Sequence, residues 1–147
     1  MVPGGALFLG LLGLIPFLWG AATVLSPDLA NWSVQTLGPR LTGPYVQLQY
    51  GTVILAFMSG VIWGFATRSS GARATIGYAV SVVPALWAFF MVGGGAESSA
   101  LALIAGFIGL LVIDWSFWRQ NLAPEWWMRL RLLLTAIVLP CLIVVLI

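Results

Sequence analysis

The sequence predicts an all-α fold, an integral membrane bundle of five transmembrane helices. Hydrophobic residues make up 61% of the 147 residues and charged residues only 7%, whereas about a quarter of a typical soluble domain is charged. Five apolar stretches each approach the roughly 20 residues that cross a bilayer. The arginines fall in short segments beside these stretches, as they do in the loops of membrane proteins.

The first helix is predicted over about residues 5–25. It lacks a preceding basic segment and a following small-residue cleavage site, so we expect a retained helix rather than a signal peptide. Pro16 in its middle removes a backbone donor, which predicts a kink. Beyond it, Ser26, Pro27 and Asp28 predict the cap and first turn of a short helix. Trp32 is expected at the headgroup level.

Four further helices are predicted wherever an apolar run reaches spanning length. They cover about residues 45–67, 75–92, 98–118 and 129–147, and the whole chain forms one membrane domain. Pro84 lies inside the third helix and Pro140 inside the fifth. The third helix is expected to end at Gly93–Gly95, because successive glycines form a turn without steric cost.

The second helix is expected to be the central one. Ala56, Gly60 and Gly64 recur every fourth residue, a small-xxx-small series that lets another helix backbone come close. Helical periodicity places Ser59 and Trp63 on the same side. We therefore predict that the other helices of the bundle pack against this face.

The arginines predict the orientation. With five crossings, five of the six arginines fall on the side of the N-terminus, and Arg40 alone falls on the other side. Positive residues in short loops favour the cytoplasmic side. The N-terminus is therefore predicted in the cytoplasm, or in the matrix of a mitochondrion, with the C-terminus on the opposite side.

Asp114 is the one acid predicted inside a membrane helix, where a carboxylate is costly and a role is expected. It lies about one turn from the arginine-rich end, and Arg131 is its most plausible partner. The favoured interpretation is structural: an ion pair, or a carboxylate among hydrated headgroups, that joins the fourth and fifth helices. The alternative for Asp114 is a proton relay or a contact with a ligand. The alternative for Arg131 is that its planar guanidinium binds a lipid phosphate.

The tryptophans divide into two groups. Five near predicted helix ends are expected to form an aromatic belt at the membrane surfaces: Trp32, Trp115, Trp118, Trp126 and Trp127. Trp19, Trp63 and Trp87 are expected inside the bundle, where each indole N–H needs an acceptor. A speculative pocket would be lined by Tyr50, Ser59, Trp63 and Trp87, although simple helix packing is the other interpretation of these residues.

Several kinds of site are excluded by composition. The chain has no His and a single Cys, Cys141, so His-ligated cofactors, structural zinc and iron–sulfur clusters lack ligands. No nucleophile–base pair, phosphate-binding loop or basic strip for nucleic acid is present. We expect no catalytic residue, no metal and no nucleic-acid partner. No cofactor is predicted, although a bound lipid or quinone would suit a chain of this composition.

Four segments together resemble the transmembrane protein 69-like family. They are YGTVILAFMSGVIWGFA at Tyr50–Ala66, SVVPALWAF at Ser81–Phe89, PEWWMRLRLLLT at Pro124–Thr135, and GLLGLIPFLWGAA at Gly10–Ala22. The lone Asp114 adds to the resemblance, which covers nearly the whole chain. It implies a small five-helix membrane protein of proteobacteria or mitochondria, and it implies no catalytic or binding residue.

Two functions remain open at this stage. The first is that of a non-catalytic accessory or assembly subunit, packed against an energy-transducing respiratory or photosynthetic complex in a bacterial or mitochondrial inner membrane. Its partners would be membrane lipids and other membrane subunits. The alternative is a binder or carrier of a hydrophobic ligand such as a quinone, lipid or pigment. An enzyme is the weakest hypothesis.

Overall fold

A computed structural model describes all residues, 1–147, and confirms the all-α class: helices and turns without strands. Five helical segments are long and apolar enough to cross a membrane. The helices are α1 (Gly4–Leu12), α2 (Ile15–Leu25), α3 (Pro27–Thr36), α4 (Tyr45–Ala66), α5 (Gly71–Ser81), α6 (Val83–Met91), α7 (Ala96–Arg119) and α8 (Trp127–Ile143), with short 3₁₀ turns at Pro39–Leu41 and Val144–Leu146. The pairs α1–α2 and α5–α6 each form one span. The five spans are Gly4–Leu25, Tyr45–Ala66, Gly71–Met91, Ala96–Arg119 and Trp127–Leu146.

The first span is broken where the sequence predicts a kink. Helix α1 ends at Leu12 and α2 begins at Ile15, with Pro16 in its first turn. The backbone N–H of Leu14 donates to the carbonyl of Leu11 at 3.1 Å, a tighter turn than the α-helix. Because Pro16 has no N–H, the break falls where one hydrogen bond would be missing in any case. Helix α1 buries none of its residues.

The third span is broken in the same way. Helix α5 begins at Gly71 rather than Thr75, and α6 begins at Val83 with Pro84 in its first turn. The hydroxyl of Ser59 on α4 accepts from the backbone N–H of Ala85 at 2.8 Å. This side chain satisfies a first-turn donor that has no partner within its own helix, which matters in a membrane because water cannot replace it.

The connections contain the predicted caps and turns. The hydroxyl of Ser26 accepts from the N–H of Leu29 at 3.3 Å, which caps α3 as expected. Gly93 and Gly95 adopt φ values of 130° and 146°. Glycine reaches these angles without a Cβ clash, so the turn between α6 and α7 depends on it.

Helix α4 is central, as predicted, but it packs through a different face. Its inward residues are Gly51, Leu55, Met58, Ser59, Ile62 and Ala66. The prediction that Ala56, Gly60 and Gly64 form the packing face within the chain is wrong, because all three are exposed and nothing lies within 4 Å of a β-carbon built on either glycine. In lipid, large apolar side chains are as well solvated outside a bundle as inside, so hydrophobicity does not decide which face turns inward.

Candidate functional site

A buried ion pair joins α7 to α8 near the arginine-rich end of the bundle. The Nε of Arg131 donates to Oδ2 of Asp114 at 2.7 Å. Asp114 is 0% exposed and Arg131 5% exposed. The structure therefore forms the ion pair expected from the sequence and buries it within the protein. An ion pair this deeply buried stabilises only when its remaining polar atoms find partners.

Trp127 supplies the second hydrogen bond to Asp114. Its indole Nε1 donates to Oδ1 at 2.9 Å, so both carboxylate oxygens are occupied. The sequence analysis placed Trp127 in an aromatic belt and missed this role. A signal was present, since Trp127 and Arg131 are four residues apart and share one face of a helix.

Arg131 binds Asp114 through one edge only. The Nη2 atom of its guanidinium is buried and has no hydrogen-bond partner, and the same holds for Oγ1 of Thr135, one turn further along α8. Thr135 is 3% exposed. A buried donor without an acceptor costs about 1–3 kcal/mol. Two such groups on neighbouring turns of one helix therefore indicate a site for an acceptor.

The residues that carry these groups, Arg131 and Thr135, are among those that line an apolar groove between the first span, α4 and α8. The groove has a volume of about 610 Å³, and 16 of the 20 residues that line it are hydrophobic. Its walls include Leu9 and Phe17 of the first span, Phe57 of α4, and Leu134 of α8, with Phe107 of α7 behind them. Pockets of roughly 300–1,000 Å³ with a few polar groups in apolar walls are typical of small-molecule sites.

The four residues of the speculative pocket do not come together. Tyr50 lines the groove and packs edge to face on Phe17, with ring centroids 5.2 Å apart. Ser59, Trp63 and Trp87 do not line it: Ser59 accepts from Ala85. The Trp87 indole donates to the carbonyl of Ala102 at 2.7 Å, which is a packing contact between α6 and α7.

Trp63 lies on the outside of the bundle, contrary to its predicted interior position. Its side chain is 48% exposed and packs on Tyr78, with ring centroids 4.6 Å apart. The prediction assumed that the small-residue face of α4 points inward, and Trp63 follows that face outward. A pocket between Trp63 and Trp87 is therefore not formed.

Gln47 is a buried polar residue at the other end of α4. Its side chain is 0% exposed, and Nε2 donates to the carbonyl of Cys141 on α8 at 3.5 Å. It also lies directly against Gly20 of α2, where an added β-carbon would overlap the Gln47 side chain. This hydrogen bond joins α4 to α8. Gln47 lies outside the groove.

Arginine side chains form hydrogen bonds between the loops at one end of the bundle. Nη1 of Arg68 donates to the carbonyl of Leu122 at 3.0 Å, and Nε of Arg73 donates to Oε1 of Gln120 at 2.9 Å. At the other end, Nε of Arg40 donates to Oε1 of Gln49 at 3.3 Å. The α4–α5 and α7–α8 loops thus meet at the arginine-rich end.

Fold and site together define an integral membrane protein: an all-α bundle with five spans, a buried ion pair and an apolar groove. A family model described as Protein of unknown function (DUF3429) matches residues 2–147. The chain belongs to this family, which covers nearly its entire length. No solved structure matches the chain.

Two relatives are named Transmembrane protein 69. The protein of Xenopus tropicalis is 33% identical over 145 residues, covering 92% of this chain and 51% of its own length. The protein of Mus musculus is 31% identical over 139 residues, covering 92% of this chain and 52% of its own length. The similarity supports the resemblance inferred from the four sequence segments. The chain spans about half the length of these curated relatives.

Proposed function

We propose that this protein binds a lipophilic molecule dissolved in the membrane, in the groove between the first span, α4 and α8, and that it does so without catalysing a reaction. One observation carries the proposal. The groove is apolar along its walls, yet one of its lining residues is Arg131, whose Nη2 is buried and unpaired. Such a combination suits a ligand with an apolar body and a polar head.

The groove opens sideways toward lipid. Leu9, Val53 and Phe57 line it and are 67%, 56% and 64% exposed. A ligand dissolved in the bilayer reaches the site between α1 and α4 without entering water. Helix α1 forms this edge and buries no residue, so it is the wall that moves at least cost when a ligand enters.

Asp114 supports a binding role rather than a catalytic one. Both of its oxygens accept hydrogen bonds, from Arg131 and from Trp127. A general base must come within hydrogen-bond reach of the proton it removes, and Asp114 is 0% exposed. In this arrangement Asp114 instead holds Arg131 in place and neutralises it.

The test is to identify what co-purifies with the full chain in a mild detergent, by native mass spectrometry and lipid extraction. Ala6 lines the groove on α1, a helix that buries none of its residues, so Ala6→Trp fills the site without replacing a core side chain. Ala79 is exposed on α5 and lies outside the groove, so Ala79→Trp is the matched control. We expect a bound lipophile with the native chain and the control, and its loss with Ala6→Trp. Equal retention by both variants would contradict the proposal.

An accessory subunit is the second candidate function. Short segments connect the spans, for example residues 67–70 and 92–95, so little of the chain lies outside the membrane. The outward strip of Ala56, Gly60 and Gly64 offers a helix of another membrane subunit a close approach. The partner we propose is an energy-transducing complex, respiratory or photosynthetic. Migration of the native chain with a larger complex on blue-native gels, abolished by Gly60→Leu, would favour this function.

We place the protein in a bacterial or mitochondrial inner membrane, with its arginine-rich end toward the cytoplasm or matrix. The support is the distribution of charge, because Arg68, Arg73, Arg119 and Arg129 lie at that end and Arg40 at the other. Positive residues in short loops are retained on the side from which insertion occurs.

A further inference from the structure

We infer that the groove selects an uncharged lipophile whose head carries a carbonyl oxygen, such as a quinone or a neutral glyceride, over a lipophilic anion. This inference rests on the binding function proposed above and names its ligand class. It follows from the number and position of the buried donors and from the net charge of the site.

Two residues of the groove wall carry an unpaired donor. Nη2 of Arg131 and Oγ1 of Thr135 are both buried, unpaired, and contributed by residues that line the groove. They are four residues apart on α8, a rise of about 6 Å along the helix. A carbonyl group accepts from either donor and has no proton that must itself be satisfied. A hydrocarbon leaves both donors unpaired.

The charge of Arg131 is already balanced. Its Nε lies 2.7 Å from the carboxylate of Asp114, which is 0% exposed. A second anion in the groove would give two carboxylates to one guanidinium in a medium of low dielectric constant, and the uncompensated charge would be costly. A neutral carbonyl gains a hydrogen bond from a cationic donor, which is stronger than one from a neutral donor, without adding charge.

The shape of the groove suits a head group with a tail. Its volume of about 610 Å³ accommodates a single substituted ring or a glycerol ester. Phe57 and Leu9 at the lipid-facing side are apolar and exposed, so a tail continues from the groove into the bilayer. Trp127 at the polar end of the groove is held by its hydrogen bond to Asp114.

The experiment compares four probes on the full chain in nanodiscs, with binding measured by native mass spectrometry and calorimetry. They are a decyl-substituted benzoquinone, a short-chain diacylglycerol, decanoate and decylbenzene. We expect the quinone, the diacylglycerol or both to bind about tenfold or more tightly than decylbenzene, since a hydrogen bond to a charged donor contributes roughly 1.5–3 kcal/mol. Decanoate should bind no more tightly than decylbenzene. Comparison of the first two probes distinguishes a ring carbonyl from an ester carbonyl.

Two variants test the origin of the preference. Thr135→Val removes one donor at nearly constant volume, and should weaken carbonyl binding by about threefold to tenfold while leaving decylbenzene unchanged. Asp114→Asn leaves Arg131 uncompensated, and should reverse the order so that decanoate binds most tightly. If Asp114→Asn does not fold, the Thr135→Val comparison still tests the inference.

The outcomes separate this inference from the function on which it rests. Preference for decanoate by the native chain, or equal binding of all four probes, would overturn the neutral-carbonyl class and leave a lipophile-binding groove. Unchanged carbonyl affinity in Thr135→Val would also count against it. Binding of none of the probes, with no co-purified lipophile, would overturn the binding function itself.

Discussion

Arg131 meets Asp114 through Nε alone, at 2.7 Å from Oδ2, and its Nη2 has no hydrogen-bond partner. A bidentate arrangement would have used two donors on the carboxylate. Here the second carboxylate oxygen is taken by Trp127 instead. Arg131 therefore uses Nε in a structural contact and keeps a second buried donor, Nη2, unused.

The first prediction concerns this pair. Asp114→Ala should destabilise the protein by about 3–5 kcal/mol, because it leaves a buried and uncompensated guanidinium between α7 and α8. The double variant Asp114→Leu with Arg131→Met should recover most of this loss, because apolar replacements remove both charges together. Unfolding in detergent, followed by circular dichroism against denaturant, measures both changes.

Glu97 provides the control for this pair. It is an exposed acid in the first turn of the same helix, α7, and Glu97→Ala should change stability by no more than about 0.5 kcal/mol. A double variant as unstable as Asp114→Ala would contradict the argument, since the loss would then come from packing or from Trp127 rather than from the unpaired charge.

The second prediction compares two glycines. A β-carbon at Gly20 would overlap the Gln47 side chain, including its own β-carbon, which cannot rotate away. A β-carbon at Gly60 meets nothing within 4 Å. Replacing glycine by alanine inside a helix gains about 0.5–1 kcal/mol when space allows. Gly60→Ala should therefore be neutral or stabilising in the purified protein, while Gly20→Ala should lower its thermal midpoint.

The same two variants bear on the accessory-subunit candidate. If Gly60→Ala is neutral after purification but lowers the amount of protein in its native membrane, the outward face of α4 has a partner there. If Gly20→Ala has no effect on the thermal midpoint, the close packing of α2 on α4 is not as the structure shows it.

The spans, and the breaks and caps of their helices, could be predicted because each depends on local chemistry. Apolar length marks the helices, Pro16 breaks the first span, and Ser26 caps α3. The Asp114–Arg131 pair was also accessible, because a lone acid in a membrane helix demands a partner and few cations lie at its depth. These features are read from neighbouring residues and helix lengths alone.

The inward face of α4 and the groove could not be predicted in this way. Ala56 and Gly60 are as compatible with lipid as with a neighbouring helix, so a small-residue series does not show which side turns inward. The groove is formed where three spans meet, and its polar residue Thr135 has no distinguishing sequence context. The spacing of Arg131 and Thr135 became informative only once Nη2 of the one and Oγ1 of the other were seen to be buried without hydrogen-bond partners.

The third prediction tests the hydrogen bond between α4 and the broken third span. Ser59→Ala removes the acceptor for the N–H of Ala85, leaving that donor unpaired at a cost of about 1–3 kcal/mol. Thr67→Ala is the control, because its hydroxyl bonds only to Gly64 in its own helix. We expect faster amide hydrogen exchange in the first turn of α6 with Ser59→Ala only. Equal exchange in both variants would show that another group satisfies this donor.

The fourth prediction tests the orientation of the protein in the membrane. Cys141 is the single cysteine and is buried, so Cys141→Ala gives a background for introducing accessible thiols. Ser70 lies exposed between α4 and α5 at the arginine-rich end, and Gln35 lies exposed on α3 at the other. In bacterial spheroplasts, a membrane-impermeant maleimide should label Gln35→Cys directly and Ser70→Cys only after the membrane is permeabilised. Positive residues in short loops stay in the cytoplasm, so the reverse pattern would invert the topology and place the Asp114–Arg131 pair and the polar end of the groove in the outer leaflet.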